Sequence, residues 1–272
     1  MKNNSETNAW EADNYPCELN DQVSPLTSQM IELFIGMNRL DNKLINKNAL
    51  RHAQYGIGRR LRVIRVNVCN ILQLSNRPEK LPFYGDRQSE LGMHLNSFYI
   101  HLHGTLDNLA WVLAYEMNLF NGVSEVKPED RRRIGLFRNE FIKALPAGKG
   151  IVEFLETKKK WHTETKNFRD PIAHRIPLYA VPCMMTNEQC EDYNRLERES
   201  LAALTLGDVE RHDELEAEKA RVGTYHPVFG HDADNKPAIY PIKEQIEIDS
   251  KNLLDIMWFF IRNDEVFKHQ KI

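Results

Sequence analysis

The chain has 272 residues, with 36 Lys+Arg against 39 Asp+Glu, a formal net charge of −3, and 42% hydrophobic residues. That is the composition of a globular chain, long enough for one large domain or two small ones to bury a core. The longest apolar stretch, Leu253 to Ile261, is nine residues broken by Asp255, far short of the ~20 that span a bilayer. Residues 1–25 carry no apolar core of a secretory signal, so no membrane association is expected and a cytoplasmic location is. Cys17, Cys69, Cys183 and Cys190 have neither Cys-x-x-Cys nor metal-ligand spacing, which reads as free thiols in a reducing compartment.

The small net charge is a sum of unlike parts. Residues 1–25 carry −4, residues 26–186 carry +9 and residues 187–272 carry −8. A near-neutral total argues against a nucleic-acid partner, whereas a basic central segment leaves RNA open.

In chain order, residues 1–25 read as a disordered or loosely packed segment, and residues 26–272 as a single helical domain. From Leu26 to Ile45, Leu26, Met30, Leu33, Phe34, Met37, Leu40 and Leu44 recur every three or four positions, the stripe of an amphipathic helix that Pro25 opens. A second helix is expected over residues 49–75, apolar at Ile57, Leu61, Ile64, Val68, Ile71 and Leu72, with Gly56 and Gly58 weakening its first turns. Its polar side carries Arg51, Arg59, Arg60, Arg62 and Arg65. After a Pro- and Gly-containing loop, a long helix from about Ser89 to Phe120 shows Leu91, Leu95, Phe98, Leu102, Leu106, Leu109, Leu113 and Met117 at heptad-like spacing, the spine of a bundle. Residues 128–145 and 149–169 give two more helical stretches.

Beyond Arg169 the texture changes. Pro171, Pro177 and Pro182 among apolar residues suggest a helical turn and then an extended run. Residues 187–222, polar and broken near Gly207, read as an inserted helical hairpin. Residues 223–249 read as two extended segments about an Asp-Asn turn that pair with residues 176–182, and a last helix covers about 249–266. The expected fold is all-α: an up-and-down helical bundle with a small extended or β appendage and an inserted hairpin.

The segment Phe168-Arg169-Asp170-Pro171-Ile172-Ala173-His174-Arg175 contains Arg-x4-His with a polar residue directly after the arginine. Chance alone supplies about two Arg-x4-6-His spacings in a chain with this many arginines and histidines. Four occur, and requiring Asn, Asp or His directly after the arginine leaves Arg169-Asp170 and Arg262-Asn263, the latter in a charged tail. The Arg169 segment and the helices of residues 26–175 resemble the HEPN superfamily, helical bundles of which many are metal-independent ribonucleases acting as dimers, often in toxin–antitoxin or antiviral defence. The resemblance implies that His174 handles the 2′-hydroxyl proton or protonates the leaving oxygen, that Arg169 stabilises the phosphorus transition state, and that Asp170 orients one of them. No cofactor is implied. An imidazole that titrates near neutrality and a permanently charged guanidinium fork suit that chemistry.

Positions five apart on a continuous helix stand about 140° apart around its axis. The pair therefore needs a bend, which Asp170 as N-cap with Pro171 at the first helical position would give, or a second copy across a dimer axis. On the long helix His103 and Asp107 share a face and read as a polar layer or as support for His174. The same helix carries His94, His101 and Glu116 but no Glu-x-x-His, which disfavours a metal site. His226, His231, Asp232 and Asp234 form a loop cluster. Arg51, Arg59, Arg62 and Arg65 are the expected nucleic-acid-binding stripe, unless that face pairs with the acidic insertion. The alternative function is a non-catalytic module that engages a protein partner through residues 187–222.

Overall fold

The computed structural model describes residues 25–77, 80–121, 127–147, 150–233 and 236–267; the side chains of residues 121, 174, 232, 233, 236 and 237 lie outside that description. Residues 1–24, with Cys17, lie outside it as well.

The architecture is a helical bundle with a three-stranded antiparallel sheet, as the sequence pattern implies. Helix α1 (Pro25–Asp41) buries Leu26, Met30, Leu33, Met37 and Leu40. Helix α2 (Lys47–Arg51) opens on Asn46, whose side chain accepts from the Asn48 and Ala49 amides. It passes into a seven-residue π-helix, His52–Gly58, and then into α3 (Arg59–Ser75). The two glycines that weaken the helical pattern mark this wider turn. Gly56 lies where any Cβ would fall 2.1 Å from Asn108 Oδ1, so only a residue without one lets the π turn approach the neighbouring helix.

That neighbour is α4 (Asp86–Glu116), thirty-one residues long and the spine of the molecule. At its end Glu116 accepts from the Ile45 and Asn46 amides at 2.9 and 3.0 Å, which pins the α1–α2 connection. Nearer its start His94 bonds Asn67 Oδ1 at 3.0 Å, and Asn67 donates to Ser97. His94 and Glu116 are thus structural.

The stretch expected as one helix over 128–145 is two short ones, α5 (Pro128–Arg131) and α6 (Asn139–Ala144). Between them the Arg138 side chain folds over Gly135 and donates to the Arg132 carbonyl, replacing a helical bond with a side-chain one. Helix α7 (Ile151–His174) then continues through Pro171. This corrects the expectation that Asp170 caps a new helix between Arg169 and His174. Proline cannot donate to the carbonyl four residues back. That carbonyl, on Asn167, instead faces the ring of the buried His231 at 2.6 Å. His231 is therefore a helix-completing donor.

After β1 (Tyr179–Ala180), helices α8 (Asn187–Thr205) and α9 (Val209–Lys219) form the expected hairpin. A Thr186/Gln189 capping box starts α8. The hairpin has its own small cluster of Leu196, Ala203 and Leu215, while the main core runs from Leu26 to Phe267. Strands β2 (Val228–Ala233) and β3 (Lys236–Pro241) pair in register through Ala233↔Lys236, and β1 joins through Tyr179↔Gly230 and Ala180↔Phe229. The Asp234-Asn235 turn lies outside the described residues. Helix α10 (Ile242–Arg262) starts seven residues earlier than expected. Pro241 at its N-cap and the Ile242, Ile246, Ser250, Leu253 spacing make it helical where Ile246 and Ile248 read as alternation.

Three helices meet on one carboxylate. Asp249 of α10 has no solvent exposure and accepts from Tyr99 Oη of α4 (2.8 Å), Trp161 Nε1 of α7 (2.8 Å) and Gln245 Nε2 (3.0 Å). Burial raises its pKa while the three donors oppose that rise. Asp249→Ala leaves a buried phenol and a buried indole without an acceptor, at about 1–3 kcal/mol each. Urea unfolding of this variant is expected to show a loss of about 3 kcal/mol or more. Asp249→Asn should recover only part of it, since its amide N–H groups would face donors.

Candidate functional site

The unbroken α7 carries His162, Lys166, Arg169 and Asp170 at spacings of four, three and one. Its buried face, Leu155, Trp161, Thr165, Phe168 and Pro171, fixes its rotation against α4 and the sheet. Tyr99 and Phe229 flank Phe168 at ring distances of 5.0 and 5.5 Å, so both the bundle and the sheet grip this turn.

Arg169 lies beside Asp170, Nη1 to Oδ1 at 2.8 Å, with one third of its side chain exposed. Lys166 approaches the other Asp170 oxygen at 3.9 Å. Across from α7, His103 of α4 is 5% exposed, with its ring 5.3 Å from that of His162. His162 itself stacks on Phe137 at 4.2 Å. Burial, with His162 and Arg169 as nearby positive or potentially positive neighbours, pushes His103 down to about 3. Burial and Lys166 push His162 down to about 4. Both rings are neutral near pH 7. The His103 ring bonds the Thr165 backbone, while its Nε2 is buried without a hydrogen-bond partner.

One turn along α4, Asp107 remains open to solvent yet has its carboxyl pushed up by desolvation and drawn back down by Arg169, Arg60 and Arg138. Three guanidinium groups from three elements therefore influence a single carboxylate. Arg60 reaches this place across Gly104, where a Cβ would lie 2.4 Å from its guanidinium carbon, and it contacts His101 Nδ1 at 3.3 Å. Burial and Arg60 push His101 down, which suits a neutral ring accepting from the guanidinium.

Four cations (Arg60, Arg138, Arg169, Lys166) thus stand in the neighbourhood of two carboxylates (Asp107, Asp170) and three imidazoles. A surplus of fixed positive charge beside neutral imidazoles suits an anion, and a phosphodiester in particular. Among the described residues no group of three His, Cys, Asp or Glu side chains is placed to hold a metal ion.

Of the expected site residues, Arg169, Asp170, His103 and Asp107 come together here. His174 is the last residue of α7, and its side chain lies outside the described residues. The arginine stripe does not hold together as one surface. Arg51 and Arg59 line a cleft beside the π turn, Arg62 covers the Phe34 ring of α1 at 4.8 Å, and Arg65 lies further along α3. Ion pairs of the acidic insertion, such as Arg195–Glu199 and Lys219–Glu216, lie within the hairpin itself, and among the described residues none joins it to that arginine face. Sequence reasoning missed His162, Lys166, Arg60 and Arg138. The i, i+4, i+8 spacing of His162, Lys166 and Asp170 carried the signal for two of them.

No family model, curated protein or solved structure matches the chain.

The lowered histidines set a pH dependence of stability. Below pH 6.5 the unfolded chain takes up protons at His103 and His162 that the folded chain refuses, until pH nears 4 for His162 and 3 for His103. Stability therefore falls with acidification across that window. Thermal melting is expected to give a lower Tm at pH 4.5 than at pH 7, with a smaller drop in His103→Gln.

Proposed function

We propose that this chain is a metal-independent endoribonuclease of the HEPN-like kind, acting as a homodimer on single-stranded RNA. The observation that carries this reading is Arg169 held against Asp170 on α7, the helix whose His162 packs against His103, with both imidazoles neutral. In the reaction, the 2′-oxygen attacks phosphorus, the P–O5′ bond breaks, and a 2′,3′-cyclic phosphate and a 5′-hydroxyl result. His174 takes the 2′-hydroxyl proton or gives one to the departing 5′-oxygen. Arg169, held by Asp170, donates its fork to the non-bridging oxygens as charge builds there. Because α7 is continuous, positions 169 and 174 stand about 140° apart around one axis. A second copy supplies the partner for each, which is why dimerisation belongs to the proposal.

A second reading has its own observation. The far end of the α8–α9 hairpin exposes Leu201, Leu204, Leu206 (84%) and Val209. Residues 187–222 hold 11 acidic and 5 basic side chains, a net −6. Such a tip fits a basic partner protein with an apolar socket, and a chain that works only this way would cleave nothing.

Purified protein incubated with single-stranded RNA in EDTA separates the two. Cleavage with cyclic-phosphate ends is expected. Its rate should fall by about 10²-fold or more in Arg169→Ala and His174→Ala, and by less in Asp170→Asn. Wild-type protein that leaves RNA intact at every concentration, dimeric ones included, refutes the nuclease reading and favours the docking module. Cleavage indifferent to both substitutions also refutes it.

A further inference from the structure

On the π-turn side of α3 and α4 lies a cleft of about 670 Å³ lined by Arg51, His52, Tyr55, Arg59, Asn108 and Tyr115 among others, none of them acidic. Among the described residues neither Arg51 nor Arg59 pairs with a carboxylate. The Arg59 guanidinium lies 4.9 Å over the Tyr55 ring, and Tyr55 is 56% exposed. Next to them stands a stack of rings. His52 lies parallel to Trp111 at 5.4 Å and 6°, and against Tyr115 at 5.7 Å. Asn108 Nδ2 donates to the Gly104 carbonyl at 2.6 Å, which leaves its Oδ1 to accept from His52 Nδ1 at 2.9 Å. The stack is thereby locked in place.

The backbone here is the unusual feature. A π turn sacrifices regular helical bonding and is frequent at functional sites. Seven residues in this form put His52 and Tyr55 on one side of the cleft with Arg51 and Arg59, and press Gly56 flat against Asn108. The result combines two cations with exposed aromatic faces. Arginine forks bind phosphate oxygens, and nucleic-acid bases stack on aromatic rings and on guanidinium planes.

We infer that this cleft is a nucleotide subsite: it stacks one base against Tyr55 and Arg59 and holds the attached phosphate with Arg51 and Arg59. Arg59 precedes Arg60 and Asn108 follows Asp107, so the cleft and the cationic cluster about Arg60 and Arg169 occupy adjoining faces of one helix pair. A single strand crossing both would place an anchored nucleotide next to the reacting one. In its source of ligand the inference rests on the ribonuclease reading; binding itself does not depend on cleavage.

The test is fluorescence anisotropy with a labelled single-stranded oligonucleotide made uncleavable by 2′-O-methylation. Arg51→Ala/Arg59→Ala is expected to weaken binding about 10-fold or more and to lower the salt slope by about 2. Tyr55→Leu should weaken it about 10-fold for the single strand and little for a duplex, while Arg195→Ala on the hairpin leaves binding unchanged. Titration with adenosine monophosphate identifies the source. Saturable binding that the same variants abolish marks a free-nucleotide site, and its absence marks a strand-binding one. Wild-type affinity in both cleft variants, or a wild type that binds neither probe, overturns the inference. Cleavage that persists while the cleft variants bind normally removes the subsite and leaves the nuclease. Binding lost in those variants, with no cleavage by the wild type, keeps the subsite and removes the nuclease.

Discussion

The bundle depends on one buried carboxylate. Asp249 accepts hydrogen bonds from α4 and α7 as well as from its own helix. Those bonds fix both the rotation and the height of three helices at once. A purely apolar interface tolerates sliding by a turn or small rotations, because one leucine packs much as another does. A carboxylate facing a phenol and an indole N–H does not, since either donor left buried and unpaired costs free energy that apolar contact cannot return. Two turns along from Trp161 on α7 stands Arg169, and one turn along from Tyr99 on α4 stands His103. The polar cluster is thus placed by a polar contact on the buried side of the same helices.

Much of this was legible in the chain. The apolar periodicities of α1, α3, α4 and α10, the self-contained hairpin and the pairing of the 179–180 segment with the strand at 228–233 all follow from pattern and turn chemistry. What sequence reasoning misplaced has a common physical source, a backbone group satisfied from far away. Pro171 signals a helix end because it removes a bond to Asn167, but His231, sixty-four residues on, faces the orphaned carbonyl. In the 132–138 segment the relation is reversed. Arginine-rich sequence favours helix, yet a side chain takes a backbone acceptor and the helix breaks. Local propensity sees neither exchange.

The candidate site was legible where it lies on one helix and obscure where it joins several. Arg169 with Asp170, and His103 with Asp107, follow from spacing within single elements. Arg60 and Arg138 do not, because their placement depends on Gly104, where a Cβ would lie 2.4 Å from the Arg60 guanidinium, and on Gly135, over which the Arg138 side chain packs closely. Arg60 was indistinguishable in the sequence from Arg59 and Arg62, its neighbours in one basic run. The structure sends the three to different places: Arg59 to the cleft, Arg60 across Gly104 toward Asp107, and Arg62 onto Phe34. A run of arginines on a helix is a fan of directions about 100° apart, and only the neighbours decide which of them meets a ligand.

The continuity of α7 has a further consequence for chemistry. A bend at Pro171 would let Arg169 and His174 close on one phosphate within a single chain. The continuous helix instead gives Arg169 company from α3, α4 and the 132–138 segment, all of it cationic or neutral apart from Asp107 and Asp170. On the proposed ribonuclease reading such an environment would hold a phosphate and stabilise charge developing on it, but His103 and His162, held neutral by burial, are poor proton acceptors. That reading therefore assigns the proton to His174, and the roughly 140° between the two positions makes assembly of two chains part of the proposal.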